Sequence, residues 1–218
     1  MKILITGANR GIGLALVRVY QSRGDAVTGT TRGAVAADNA ANLHCDVTDA
    51  ASVAAMARGY GTRPLDLLVC NAGVYVDKGE GLARGFPPEA WAETFAANVT
   101  GVFLTVQALL PNLRAARGKI AIISSAMGSD DRAPGGSYIY RASKAAALNL
   151  GRNLAADLKA DGIAVGIYHP GWVRTDMGGA GADIDPETSA QGLIARFDAL
   201  SPANSGCFED YAGRAIPF

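Results

Sequence analysis

Tyr140 and Lys144 stand four residues apart in the stretch YRASKAAALNL. Residues at that spacing share one face of a helix, so both side chains can enter the same pocket. A free tyrosine, with a pKa of about 10, is a poor acid or base at neutral pH. A nearby ammonium favours phenolate over phenol and brings that pKa towards the working range. Such a phenol can give a proton to a carbonyl oxygen as hydride reaches the carbon, and take it back in the reverse direction. The same spacing also arises on ordinary helices, with tyrosine half-buried and lysine in water. Tyr138 illustrates this: its i+4 residue is only Ala142.

A second chemical signal is TGANRGIG, with Gly7, Gly11 and Gly13. A glycine turn opening a helix lets a pyrophosphate approach the main chain and meet the N–H groups and positive dipole of the helix N-terminus. NAD-specific folds of this type carry an acid near the end of the second strand, for the ribose 2′-hydroxyl. Here the corresponding segment ends GTTR, with Thr31 and Arg32, and Arg10 lies inside the glycine turn. Two guanidiniums with no carboxylate suit a 2′-phosphate, which points to NADP(H) over NAD(H). The alternative is that both are solvated surface arginines.

These groups need a frame that brings them together. KILIT, AVTGTT, NLHCDVTD, LDLLVCNAG, KIAIISS and IAVGIYHPG read as strands, with a last short one near Gly206–Phe208. They alternate with helical patterns, among them IGLALVRVYQSRG, ASVAAMARGY, YIYRASKAAALNLGRNLAADLKADG and a segment around Glu187–Leu200. A long helical pattern from about Pro88 to Arg117 is expected to bend or break near Gly101 and Pro111. Apolar strands alternating with helices imply an α/β fold, a doubly wound parallel sheet in three α/β/α layers, here as one domain. Ligands in such sheets bind beyond the carboxyl ends of the strands, where strand order reverses.

The 218 residues suffice for one domain with a substantial core, and 20 Lys and Arg balance 20 Asp and Glu. No long charged block suggests a nucleic acid or an anionic membrane surface. No apolar run approaches the roughly 18–20 residues of a membrane span, and MKILITGANRGIG runs directly into a strand and turn. Three scattered cysteines and two histidines fit neither a disulfide framework nor a zinc site, so no metal is expected. The expectation is a cytoplasmic protein with a small-molecule substrate.

In chain order, TGANRGIG, CDVTD, CNAG, NVTG, ISS, YRASK and HPGWVRT resemble the motifs of the short-chain dehydrogenase/reductase family over almost the whole length. YRASKAAALNL further resembles the branch of Sniffer-type carbonyl reductases and C-factor-like proteins. The resemblance implies a Rossmann fold, with Tyr140 as general acid/base and Lys144 tuning it and holding the nicotinamide ribose. Ser125 would bind the substrate oxygen, and Asn98 would hold a water in a proton relay. Cofactor contacts would come from Gly7, Asn9, Arg10, Gly11, Ile12 and Gly13 in the turn, then from Arg32, Asp46 and Val47. Asn71, Ala72 and Gly73 would follow, with Pro170, Gly171, Val173 and Thr175 on the far side. The family's serine commonly precedes the tyrosine by thirteen residues, where this chain has Met127, and Ser125 lies two residues earlier. A longer loop accounts for this, with Ser124 and Ser129 as alternatives.

The substrate region would be GWVRTDMGGAGADIDPE, a glycine-dense lid from Gly178 to Gly181, with the loops after CNAG and ISS. Trp172, Met177, Tyr75, Met127 and Tyr138 are candidate pocket walls or ordinary core. DKGEG and SDDR read as solvated charges, with Asp130 or Arg132 at the mouth, and His169 as a packed strand end. No arginine cluster marks an anionic substrate, so a small ketone, aldehyde or quinone is expected. A dinucleotide-binding regulatory protein with little turnover is the alternative. Relatives use their two long helices between subunits, so a homodimer or homotetramer is expected.

Overall fold

A computed structural model describes residues 1–33, 41–83 and 85–218. Its sheet contains β1 (Lys2–Ile5), β2 (Ala26–Thr31), β3 (Ala41–His44), β4 (Leu67–Cys70), β5 (Lys119–Ile123), β6 (Ala164–His169) and β7 (Phe208–Asp210). The spatial order is β3-β2-β1-β4-β5-β6-β7, and every pairing is parallel. Strand order therefore reverses between β1 and β4, the expected position of a ligand crevice. β7 begins at Phe208, two residues later than the sequence pattern suggests. Gly206 occupies a left-handed turn (φ 87°) before it, and Phe208 then pairs with Ile167.

Alternation along each strand sends side chains to opposite faces, and both faces are apolar. Leu4, Leu68, Ile120 and Ile122 pack on one side with Met56 of α2 (Ala50–Tyr60) and Val106 and Leu109 from the helical run after Pro88. Ile3, Ile5, Leu67 and Val69 pack on the other with Leu16 and Tyr20 of α1 (Gly11–Ser22) and Phe197. Each such aliphatic side chain, withdrawn from water, contributes roughly 1.5–3 kcal/mol.

The helical run divides into α3 (Pro88–Phe95), a π-helical turn at Ala96–Thr100 and α4 (Gly101–Ala116). The expected break at Gly101 is thus a π turn ending there. A Cβ on Gly101 would lie 2.8 Å from the Val47 carbonyl oxygen, so the helix passes this loop too closely for any side chain. Pro111 breaks nothing: α4 continues through it to Ala116, with the ring on the exposed side. By length and mean hydropathy, 1.3 over its most apolar window, Pro88–Ala116 passes as a membrane span. Polar residues punctuate the stretch, so it does not stand out as an apolar run in the sequence. Its apolar face covers the sheet, through Val102, Val106, Leu109 and Leu113. α5 (Tyr138–Asp157) and α6 (Pro186–Ala199) complete the two outer layers.

Pro111 removes one helical hydrogen bond while gaining no buried contact. Pro111→Ala is therefore expected to raise stability by about 1–3 kcal/mol in urea unfolding. A lowered midpoint would show that the ring supports the helix.

Candidate active site

Beyond the carboxyl ends of the strands lies a cleft of about 670 Å³. Thr6 and Asn71 clamp its floor at the point where strand order reverses. The Thr6 hydroxyl oxygen accepts from the Asn71 and Ala72 N–H groups at 3.0 Å each, and the Asn71 amide donates to the Thr6 and Gly7 carbonyls at 2.9 and 3.1 Å. Gly7 takes a positive φ of 66°, and a Cβ on Gly13 would sit 2.3 Å from the Gly7 oxygen, so the turn closes only with glycine. α1 then starts without a capping side chain and without an acid in its first turn. Its first N–H groups have no partner within the helix. An anion at that end satisfies them, so the turn fits a pyrophosphate.

The cleft wall includes Gly7, Asn9, Arg10, Gly11, Ile12 and Gly13 at the turn, and Arg32, Asp46 and Val47 beside the ends of β2 and β3. It continues through Asn71, Ala72 and Gly73 after β4, then Tyr140, Lys144, Pro170 and Thr175. Two residues expected there stand apart. Gly171 faces a second cavity with Trp172 and His169, and Val173 is buried where its backbone bridges to Ile184. Neither guanidinium is free of carboxylates. Arg10 pairs with Asp176 at 2.6 Å, and Arg32 lies near enough to Asp46 to help hold its carboxyl below the usual range. The Thr48 hydroxyl bonded to Asp46 is the larger cause. The Arg10–Asp176 pair is exposed on both sides and worth little, so a phosphate can displace it.

Tyr140 and Lys144 project to the same side of α5 and are only 8% and 6% exposed. The Lys144 Nζ lies 5.5 Å from the Tyr140 ring centroid and donates to the Ile123 carbonyl at 3.0 Å. One of its three hydrogens is thereby used, leaving two for ligand or phenol. The three candidate serines differ in where each hydroxyl goes. Ser124 donates to the Lys144 carbonyl at 3.0 Å, and Ser129 to the Pro217 carbonyl at 2.6 Å. Ser125 instead accepts from the Met127 N–H at 3.1 Å, capping the short 3-10 turn Ala126–Gly128. Its own hydrogen is free for the neighbouring Tyr140 phenol.

Burial pushes the Tyr140 phenol up; the Ser125 hydrogen bond opposes this, while Tyr75 and Asp77 add to it. Burial also lowers Lys144, to about 8. The lowering of the phenol expected from Lys144 is not found: burial raises the phenol, and Lys144 is not among the groups that shift it. Asn98 is buried behind this pair. Its oxygen accepts from the Val74 N–H at 2.8 Å, and its amide donates to the Val74 carbonyl and the Ser143 hydroxyl at 2.9 and 3.0 Å. Its side chain is a strut with no hydrogen left for a water.

The loop after β6 ties itself down. Trp172 Nε1 donates to the Gly178 carbonyl at 3.0 Å, and Lys78 reaches across to the Met177 and Gly178 carbonyls at 3.2 and 3.3 Å. Met177 faces the large cleft, Tyr75 stacks on Tyr140 with centroids 4.1 Å apart, and Tyr138 is exposed against Phe86. Arg132 borders the second cavity with His169, whose imidazole burial holds at about 4. Asp77, expected in solvent, is 1% exposed. Spacing gave no sign of this because its partners lie more than 60 residues away. Among the described residues no cluster of His, Cys, Asp or Glu is arranged to hold a metal.

The short chain dehydrogenase family model matches residues 1–183. The chain is 40% identical over 167 residues to C-signal of Myxococcus xanthus, covering 75% of this chain and 99% of that protein. The NADPH-bound carbonyl reductase from chicken fatty liver superposes with a TM-score of 0.91 at 29% identity, over 100% of this chain and 98% of that one. Carbonyl reductase Sniffer of D. melanogaster gives 0.92 at 27%, over 100% and 99%. The chain belongs to the short-chain dehydrogenase/reductase family, and its sheet is a Rossmann fold.

Burying Lys144 destabilises the fold. The folded ammonium releases its proton at about 8 and a solvated one at 10.5. Between those values the unfolded chain holds more protons, so this group's contribution rises with pH across the window. Lys144→Met is expected to be more stable than wild type at pH 7, by about 1–3 kcal/mol, with the gap closing towards pH 10. Chemical denaturation at several pH values measures it, and a variant less stable at pH 7 would contradict the burial penalty.

Proposed function

We propose that the protein is an NADPH-dependent carbonyl reductase acting on a small ketone, aldehyde or quinone. The observation that carries this reading is the placement of Tyr140 and Lys144 together in a cleft that also contains the uncapped start of α1, with the Ser125 hydroxyl against the phenol from outside the cleft lining. NADPH would supply the hydride, held at the glycine turn, by Lys144 and by the Asn71–Gly73 segment. Ser125 and Tyr140 then donate to one carbonyl oxygen and steady the charge that develops there. As hydride forms the new C–H bond, the Tyr140 proton moves to that oxygen and an alcohol results. A phenol kept protonated by burial suits this direction, and the Lys144 ammonium stabilises the phenolate left behind. Arg32 at the end of β2, with no acid on that strand end, supports a 2′-phosphate.

The free thiols Cys45, Cys70 and Cys207 suit a reducing, cytoplasmic setting. Phe103, exposed on α4, supports a homodimer or homotetramer formed through the long helices. The likeness to C-signal favours a second reading, a regulatory protein that binds the dinucleotide with little turnover. Nicotinamide fluorescence followed by absorbance loss over a carbonyl panel separates the two. Binding without turnover on any carbonyl would favour the second.

Tyr140→Phe should lower kcat about 10²–10⁴-fold while changing NADPH affinity little. An active Phe variant would remove the mechanism. Arg32→Glu should reduce the NADPH-over-NADH preference about tenfold or more, since a guanidinium–phosphate bond is worth about 1.5–3 kcal/mol. Unchanged selectivity would place the 2′-phosphate elsewhere.

A further inference from the structure

Three other helix starts show how this chain ordinarily treats them. Asp49 caps α2 by accepting from the Ala51 N–H at 2.9 Å, and Asp185 caps α6 by accepting from the Thr188 N–H at 2.7 Å. α1 is left open towards the cofactor cleft. α5 follows neither pattern. The residue in its cap position, Ser137, is left-handed (φ 49°) and makes no capping bond; its hydroxyl is hydrogen-bonded to the Tyr75 phenol instead. The vacant cap is filled from a distant loop. Asp77 accepts from the Ile139 N–H at 2.9 Å and from the Tyr140 N–H at 3.2 Å.

We propose that Asp77 is a positioning residue for Tyr140: its buried carboxylate caps the first turn of α5 from the loop after β4 and fixes where the phenol points. The proposal rests on the reductase reading for its catalytic consequence. Its geometry does not. The loop is anchored twice, by Asn98 on both backbone groups of Val74 and by Asp77 on α5. Between the anchors Tyr75 lies against the Tyr140 ring, with 21° between the ring planes. A carboxylate at a helix N-terminus is stabilised by the axial dipole and by charge-assisted N–H bonds. It therefore holds the first turn more firmly than a serine cap, and that turn contains Tyr140 itself. The segment after CNAG, which also borders the cofactor cleft, is tied by the same bonds to the helix bearing the acid.

The charge also reaches the phenol. The groups facing Tyr140 are Tyr75 and Asp77 from the loop after β4, Ser125 from the turn after β5 and Lys144 from α5. Tyr75 and Asp77 disfavour phenolate, and the Ser125 hydrogen bond favours it. Removing the charge of Asp77 while keeping an acceptor oxygen should thus ease ionisation of Tyr140 without moving it.

The test compares Asp77→Ala and Asp77→Asn with wild type. Amide hydrogen exchange at Ile139 and Tyr140, which needs no turnover, should accelerate about tenfold or more in the Ala variant and much less in the Asn variant. The Ala variant should lose about 10–100-fold in kcat with the NADPH Kd nearly unchanged, the cost of a slightly misplaced acid. The Asn variant should recover most of that kcat. In alcohol oxidation its acid limb should move to lower pH by about one unit, because phenolate forms more easily. Unchanged amide exchange in the Ala variant would overturn the proposal, as would an Asn variant with neither recovered kcat nor a shifted limb. If the Ala variant does not fold, the Asn variant's exchange and pH profile decide. Wild type without turnover on any carbonyl would count against the reductase reading alone, and amide exchange would still judge Asp77.

Discussion

A phenol and an ammonium held side by side, nearly out of water, are the constraint around which this molecule is organised. Each would be more stable solvated, and the fold keeps both on one face of α5. Desolvation moves their proton affinities in opposite directions, the phenol upward and the ammonium down to about 8. Their proton affinities, nearly equal in water, are thereby driven apart, so the phenol holds its proton more tightly and the ammonium less. At neutral pH the pair therefore rests as a protonated phenol beside an ammonium.

Keeping such a pair in register requires rigid surroundings, and the polar bonds around it are mostly between distant segments. Thr6 and Asn71 join the loops on either side of the reversal in strand order. Asn98, presented by the π turn, braces Val74 and Ser143. Ser124 secures the Lys144 carbonyl, while Ser125 keeps its hydrogen available. Two adjacent serines therefore differ in role because one hydroxyl is consumed by backbone and the other caps a turn as acceptor. The apolar faces of the sheet supply the stability that offsets these buried polar groups.

The fold was legible in the sequence because its signals are local: apolar strands, helical periodicity and glycine turns. The pairing of Tyr140 with Lys144 was legible for the same reason, since four residues on a helix fix a shared face. What escaped depends on contacts between segments far apart in the chain. Asp77 sits in a loop rich in charge and glycine, and nothing nearby reveals that α5 needs a cap. Arg10 meets Asp176 across 166 residues, so its apparent lack of a carboxylate was a property of the local sequence only. Pro111 warned of a break that α4 tolerates on its exposed side. Ser125, Ser124 and Ser129 could be ranked by position but separated only by the partner each hydroxyl finds.

The dryness of the pair is most directly read by an NMR titration of the Lys144 side chain, assigned by its loss in Lys144→Met. The account predicts a midpoint of about 8 in the free protein. A midpoint near the ordinary 10.5 would mean a solvated ammonium and would contradict the claim that the fold holds this pair out of water.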